Sequence, residues 1–269
     1  MSERFRTTRV FYLGAAILTL IATILRTLSL ALCLDPASGY FEAGVALPTC
    51  YRILSVLSAL ALILFPLLAL KDRVSERRAE MTRVSLCASL LCAILFFLNF
   101  IMACTGRSAL LPVPLWLFGL LFLLGGAVYF ILQGLKSRVR DITTGTVTVF
   151  GCLCILGVAC LISFTYFDIA TPMNAPHKTE LHLALLSLML YLLYELRDVA
   201  GIPRPRALTA STALAFFFSV AVGASDLVAY CLGIYADPSY LIQDLLLAGF
   251  AFYIGARALN DSAVTASKQ

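Results

Sequence analysis

Eight long apolar runs separated by short polar segments dominate the sequence and restrict what the chain can fold into. The runs cover residues 10–34, 49–70, 84–105, 109–135, 143–167, 178–196, 207–235 and 239–259. Each run is long enough to cross a hydrocarbon core of about 30 Å as a helix, in which the backbone satisfies its own hydrogen bonds. The sequence therefore predicts an all-α polytopic integral membrane protein with eight transmembrane helices.

The composition supports this prediction and restricts the domain organisation. Of 269 residues, 61% are hydrophobic and 13% are charged, whereas soluble domains carry about 25% charged residues. Eight spans with short connections use nearly the whole chain, so a separate soluble domain of about 50 residues has no room. We therefore expect a single transmembrane domain over residues 1–269.

The positive charges are distributed unevenly between the two sides of the predicted bundle. Most of the 20 lysines and arginines lie in the N-terminal segment, in segments 71–83, 136–140 and 197–206, and in the C-terminal tail. Short loops rich in Lys and Arg remain on the cytoplasmic side of a membrane. We therefore predict that both termini are cytoplasmic, and that the basic residues orient the chain in a bilayer rather than bind nucleic acid.

Short segments of the two halves resemble each other at one constant offset. The matching segments are Tyr40-Phe41-Glu42 with Tyr166-Phe167-Asp168, and Leu70-Lys71-Asp72 with Leu196-Arg197-Asp198. A half with an even number of spans begins and ends on the same side, so the second half repeats the direction of the first. The matches thus favour two parallel four-helix repeats, residues 1–140 and 141–269.

Ionisable residues inside the predicted spans are the best indicators of function, because each costs about 2.5–3.5 kcal/mol to insert into a membrane. With the predicted orientation, several polar side chains lie at a similar depth near the outer face. Our candidate ligand-binding residues are Arg26, Asn99, Glu180, Asp226 and Asp244. They predict a polar cavity that opens outward.

The charge that this cavity would select remains open in the sequence. Arg26 can form a bidentate pair with Asp226 or Asp244, and one interpretation is that such pairs only lock helix packing. One arginine does not neutralise three carboxylates, which would then be protonated, hydrated or shared with a cationic ligand. Arg26 can equally attract an anionic solute.

The predicted outer loop before the sixth span is the most polar outer segment. Its residues Asp168, Asn174, His177 and Lys178 are candidates for a gate or lid over the cavity. The alternative is a structural role, in which Asn174 or Thr179 caps the first turn of the sixth helix.

Other chemistry is poorly supported by the sequence. There is no phosphate-binding loop, zinc-protease helix or nucleophile elbow. The pair His177 and His182 is a weak basis for a metal site, so we expect no catalytic residue, no metal site and no cofactor. Four cysteines near predicted outer helix ends leave a disulfide open: Cys33, Cys50, Cys104 and Cys231.

The leading functional hypothesis is therefore a small-solute transporter or solute-binding protein of the plasma membrane. The first alternative is a non-transporting sensor or assembly partner of another membrane complex. The second is a membrane-embedded enzyme that modifies a lipid with His177, His182 or Glu180 as acid or base. We expect contact with the lipid bilayer, with a small-molecule solute or a membrane-protein partner, and not with nucleic acid. Short loops without outer glycosylation sequons favour a bacterial inner membrane.

Overall fold

The computed structural model describes residues 3–35, 38–70, 82–106, 110–136, 139, 142–169, 172, 174–235 and 240–267, with the backbone alone for 3–7, 9 and 260–267. The described residues form eight α-helices. They are α1 (Glu3–Cys33), α2 (Ala46–Ala69), α3 (Arg83–Thr105), α4 (Val113–Leu135), α5 (Thr144–Phe167), α6 (Pro176–Val199), α7 (Pro205–Cys231) and α8 (Leu241–Ser267). Each contains an apolar stretch long enough to span a membrane, so the predicted all-α, eight-span fold is confirmed.

The structure differs from the prediction at two connections. Residues Leu34–Asp35 (β1) pair antiparallel with Tyr40–Phe41 (β2) and form a two-stranded hairpin after α1 that the apolar pattern did not predict. Helix α7 ends at Cys231, earlier than the apolar run, because Gly233 adopts a φ of 71°. Glycine enters this left-handed region without a Cβ penalty and commonly ends helices in this way.

The helices pack as a closed set of six with two more on one side. From α3 to α8, each helix contacts the next, and α8 contacts α3, which closes the set. Helices α1 and α2 contact each other and pack on α7. Helix α7 therefore lies between the six-helix set and the α1–α2 pair, and side chains from both sides meet along it.

Two apolar cores correspond to this arrangement. The larger lies inside the six-helix set and includes three stacked or edge-packed rings, Phe96, Phe130 and Phe250. The smaller lies between α1, α2 and α7 and includes Tyr51 and Phe217. Large apolar side chains also remain exposed on the outside of the bundle, as lipid contact requires.

The predicted repeat and orientation stay predictions. Helices α1 and α2 of the proposed first half pack on α7 of the second, so residues 1–140 and 141–269 share one bundle. We use the term outer end for the end of the bundle that contains the last turns of α1 and α7 and the first turns of α6 and α8. The distribution of Lys and Arg predicts that this end faces outward.

Candidate functional site

Arg26 is the centre of a buried charge cluster at the outer end. Its side chain is 0% exposed, and its Nη1 and Nη2 donate to Oδ1 and Oδ2 of Asp226 at 2.7 and 3.0 Å. Its Nε donates to Oε2 of Glu180 at 2.5 Å. Its Nη1 also donates to the Ser225 hydroxyl and, at 3.2 Å, to the carbonyl of Val222. Of the two aspartates considered for a bidentate pair, Asp226 takes this role.

Asp226 has two further partners, and both come from outside the set of candidate ligand-binding residues. Nδ1 of His177 lies 3.1 Å from Asp226 Oδ2, and the Tyr235 hydroxyl donates to Oδ1 at 3.4 Å. Tyr235 reaches this position because the chain turns at Gly233, directly after α7. Burial, followed by the nearby Asp226 charge, raises the pKa of Tyr235 well above its ordinary value, so the phenol stays a neutral donor.

Asp244 contributes a third carboxylate, and its contacts are different. The residue is 0% exposed, and neither carboxylate oxygen has a hydrogen-bond partner among the described residues. Three residues, His177, Asp226 and Asp244, each offer one ligand atom, and these three atoms lie within 4.8 Å of one another. A buried charge without a partner is costly, so packing alone does not explain this carboxylate, and Nε2 of His177 is likewise buried without a hydrogen-bond partner in the described structure.

A close approach of α7 and α8 brings the two aspartates together. A Cβ atom at Gly223 would lie 3.0 Å from the backbone oxygen of Asp244 and 3.0 Å from Cβ of Leu247. Gly223 is one helical turn before Asp226, so the missing side chain lets α8 pack directly against this part of α7. Glycine at this position therefore determines how near the two carboxylates lie.

The cluster has an excess of negative charge. Arg26 is the one guanidinium among three carboxylates, Glu180, Asp226 and Asp244, so the charges sum to minus two when all three carboxylates are ionised and His177 is neutral. The Arg26 donors are directed at Asp226 and Glu180. The excess negative charge is therefore concentrated around Asp244 and on the side of Asp226 that faces Asp244.

The remaining candidate ligand-binding residue, Asn99, lies apart from these ion pairs. Its Nδ2 donates to the backbone oxygens of Leu95 at 2.9 Å and Ile242 at 3.3 Å. Asn99 thus connects α3 to the first turn of α8, which contains Asp244. The structure brings Arg26, Glu180, Asp226 and Asp244 together and leaves Asn99 at the neighbouring helix contact.

The candidate gate residues divide into three positions. Asp168 and Lys178 line a surface cavity of about 380 Å³ at the outer end, and Nζ of Lys178 donates to the backbone oxygen of Asp168 at 2.7 Å. Asn174 is exposed. His177 lies deeper, against Asp226, and therefore belongs to the charge cluster as well as to the segment that covers it.

Tyr240 connects the surface cavity to the cluster. Its hydroxyl donates to Oδ2 of Asp168, and its ring centroid lies 5.0 Å from that of His177.

The structural alternative for the loop before α6, a side-chain cap on this helix, is wrong, because the N-cap of α6 is Ala175 and makes no side-chain cap bond. Asn174 and Thr179 therefore do not cap this helix.

A further buried carboxylate, Glu195, lies near the opposite end of α6. Its Oε1 accepts from the Tyr253 hydroxyl at 2.8 Å and lies 3.6 Å from Nε of Arg257. Its Oε2 accepts from the Tyr129 hydroxyl at 3.3 Å, and Nε2 of Gln133 donates to that hydroxyl at 3.0 Å. We call these five residues the Glu195 cluster, and the set Arg26, His177, Glu180, Asp226 and Asp244 the Arg26 cluster.

Several of these residues were not found from the sequence. Tyr235 and Tyr240 were not among the candidate residues, and His177 was considered for the gate and as an acid or base but not for the ligand-binding set. Glu195 is visible as an acid within the sixth apolar run, but the sequence gives no sign that Tyr129 of α4 and Tyr253 of α8 are its partners. The nine cysteines all lie within described residues and are free thiols, so the disulfide that the sequence left undecided does not form.

Comparisons with known proteins leave the function to be argued from this geometry. No protein-family model matches the sequence, and no curated protein or solved structure is significantly similar to it.

Proposed function

We propose that this multi-pass membrane protein binds a small cationic solute in the Arg26 cluster and transports it from the outer side of a plasma membrane. The observation that carries the proposal is the buried carboxylate of Asp244, which has no hydrogen-bond partner among the described residues. The carboxylate lies beside His177 and Asp226, within reach of one shared ligand.

The energetics favour a cation over a purely structural cluster. A carboxylate transferred from water to a protein interior loses several kcal/mol of solvation unless charge or hydrogen bonds compensate. Asp226 has such compensation from Arg26, but Asp244 does not. A proton or a bound cation supplies the missing positive charge, and a site that alternates between the two binds a cation reversibly.

The contacts of Arg26 argue against an anionic solute. All three guanidinium nitrogens donate to protein oxygens, and these include two carboxylates. An anion would have to displace a carboxylate from the guanidinium and then lie next to Asp244. The net negative charge of the cluster opposes that arrangement.

The proposed route to the cluster begins at the outer cavity. Asp168 lines the cavity and accepts from Tyr240, whose ring packs near His177. Movement of Tyr240 away from Asp168 would therefore open the protein between the cavity and the buried acids. Arg26 can change its carboxylate partners during the same cycle, since Glu180 and Asp226 lie on different helices.

The two alternative functions make different demands on the structure. A sensor or assembly partner without a ligand needs an interior in which each buried charge is compensated, and Asp244 is an exception to that. A lipid-modifying enzyme needs a lateral opening to the bilayer beside His177, His182 or Glu180. His177 and Glu180 are instead buried against the protein, and His182 is half-buried.

Charge movement across proteoliposomes tests the proposed transport. Purified chain is reconstituted, and current is recorded on addition of monovalent, divalent and organic cations from the outer side. We expect at least one cation to produce an inward current that Asp244→Asn abolishes. Glu42→Gln, which changes an exposed acid near the same end, should leave the current unchanged. Absence of current with every cation, together with no thermal stabilisation by any of them, would favour the partner hypothesis.

A further inference from the structure

We infer that the cation is a divalent first-row transition-metal ion, bound by His177, Asp226 and Asp244. The inference rests on the proposed cation-binding function and specifies its substrate class. From the sequence we expected no metal site, because the two histidines, His177 and His182, were considered together. The structure instead places His177 beside two buried carboxylates from α7 and α8.

The spacing between His177 and Asp226 suits two ligands of one ion. Nδ1 of His177 and Oδ2 of Asp226 lie 3.1 Å apart. Two ligands at right angles on an ion with bonds of about 2.1 Å lie about 3.0 Å apart. A metal ion can therefore take the place of the hydrogen between these two atoms without a change in their separation, with the proton of the neutral imidazole then on Nε2.

Asp244 completes the set of ligands from α8, which packs against α7. Its ligand atom lies within 4.8 Å of the other two, whereas ligands on opposite sides of such an ion lie about 4.2 Å apart. A small rotation of the Asp244 side chain would adjust the position of its oxygens to such a separation. Both oxygens are without a hydrogen-bond partner in the described structure, so no existing hydrogen bond opposes the rotation.

The donor types favour transition metals over the more abundant hard cations. Calcium and magnesium prefer oxygen ligands alone, whereas an imidazole nitrogen with carboxylates suits manganese, iron and zinc. No cysteine belongs to the group of ligand atoms. The site therefore lacks the thiolates that soft metal ions prefer.

The charge balance favours a divalent ion. With His177 neutral and the three carboxylates ionised, the Arg26 cluster has an excess of two negative charges, and one divalent ion neutralises it. A monovalent ion would leave one uncompensated charge in a buried site. Metal binding requires a neutral imidazole and ionised carboxylates, which is the protonation state that this sum describes.

Arg26 and Tyr235 would act from outside the coordination shell. Both donate to Asp226, so they fix the orientation of this carboxylate while it faces His177 and Asp244. Groups that orient a metal ligand in this way usually affect metal affinity about 10–100-fold. Arg26 is therefore a positioning residue in this site.

Manganese binding in detergent tests the site separately from transport. Mn²⁺ is the probe because oxygen and imidazole ligands suit it better than the free thiols of this chain do. The six-line electron paramagnetic resonance signal of free Mn²⁺ is titrated with purified full-length protein. We expect one ion per chain, with nitrogen coupling from an imidazole in pulsed spectra.

Three variants determine whether the ion binds at the proposed ligands. Asp244→Asn and His177→Gln should each weaken Mn²⁺ binding by about 100-fold or more, since they alter direct ligands. His177→Gln should also abolish the nitrogen coupling. Glu42→Gln should bind like wild type, and thermal unfolding in detergent reports whether each variant remains folded. Unchanged binding in folded Asp244→Asn, or no bound Mn²⁺ in wild type, would overturn the inference.

The result also separates this inference from the proposed transport. If an organic or monovalent cation produces current and Mn²⁺ does not bind, the metal assignment is wrong and the transport proposal stands. If Mn²⁺ binds at these ligands and no cation produces current, the metal site stands and the transport proposal fails.

Discussion

The Arg26 cluster and the Glu195 cluster place buried acids at opposite ends of the same helix. Glu180 and Glu195 both belong to α6 and lie about 22 Å apart along its axis. Both are buried, and both pair with an arginine from another helix. The two clusters differ in the ratio of acids to positive or hydrogen-donating groups.

Around Glu195, donors exceed acids. One carboxylate receives the hydroxyls of Tyr253 and Tyr129 and the ion pair to Arg257. In the Arg26 cluster, three carboxylates share one guanidinium, and Asp244 receives no hydrogen bond from the described residues. A satisfied buried network stabilises a fold, whereas an unsatisfied buried group requires a separate explanation. The comparison therefore assigns stability to the Glu195 cluster and ligand binding to the Arg26 cluster.

The largest effect is expected when each arginine is replaced by methionine. Arg26→Met leaves Glu180 and Asp226 without their buried counter-charge, and we expect a loss of about 3–5 kcal/mol of unfolding free energy. Arg257→Met breaks one ion pair of 3.6 Å while the tyrosine hydrogen bonds remain, so we expect a loss of roughly 1–2 kcal/mol. Denaturant titration in detergent micelles measures both.

Arg52→Met is the control for this comparison, because Arg52 is exposed near the outer end. Its unfolding free energy should stay within about 0.5 kcal/mol of wild type. Equal losses for Arg26→Met and Arg257→Met would show that the two clusters do not differ in charge compensation.

The second comparison removes one negative charge from each cluster, and the two effects should have opposite signs. Asp244→Asn removes a buried charge that lacks partners, so without a ligand we expect stability to rise by about 1 kcal/mol. Glu195→Gln removes the counter-charge of Arg257 and weakens two tyrosine hydrogen bonds, so we expect a loss of about 2–3 kcal/mol. Thermal unfolding in metal-free buffer measures whether each variant is more or less stable than wild type.

A saturating ligand should reverse the first of these effects. Wild type gains stability from any ligand that binds only the folded state, and Asp244→Asn should not gain it. If Asp244→Asn is as destabilised as Glu195→Gln in metal-free buffer, then Asp244 has a structural role and the contrast between the clusters disappears.

The sequence predicts the eight helices well and the pairing inside the cluster only in part. Apolar length and the cost of exposed backbone in lipid are sufficient to locate helices. The sequence also predicts how deep each residue lies in the membrane, and it placed Arg26, Glu180, Asp226 and Asp244 at a similar depth. The sequence does not show how each helix is rotated about its axis or which helices pack against each other. The sequence therefore left open which aspartate pairs with Arg26 and did not separate Asn99 from the acids.

The contributions of His177 and Tyr235 depend on local backbone geometry. His177 lies in the first turn of α6 and faces α7, which follows from where the helix begins and not from any periodicity. Tyr235 reaches Asp226 through the turn at Gly233. Such contacts combine a helix end with a tertiary position, and a single sequence carries no signal for that combination.

The smallest expected effect compares one tyrosine hydroxyl from each cluster. Tyr253→Phe removes a 2.8 Å hydrogen bond to Glu195, and hydrogen bonds to charged groups contribute about 1.5–3 kcal/mol. Tyr235→Phe removes a 3.4 Å contact to Asp226, which keeps its bidentate pair with Arg26, so we expect a loss under about 0.5 kcal/mol. The same variant should still weaken Mn²⁺ binding by about 10-fold, because Tyr235 orients a metal ligand. If Tyr235→Phe changes the unfolding free energy little but weakens Mn²⁺ binding, the two clusters differ in ligand binding. If the unfolding free energy and the Mn²⁺ affinity fall in parallel, Tyr235 acts only through packing.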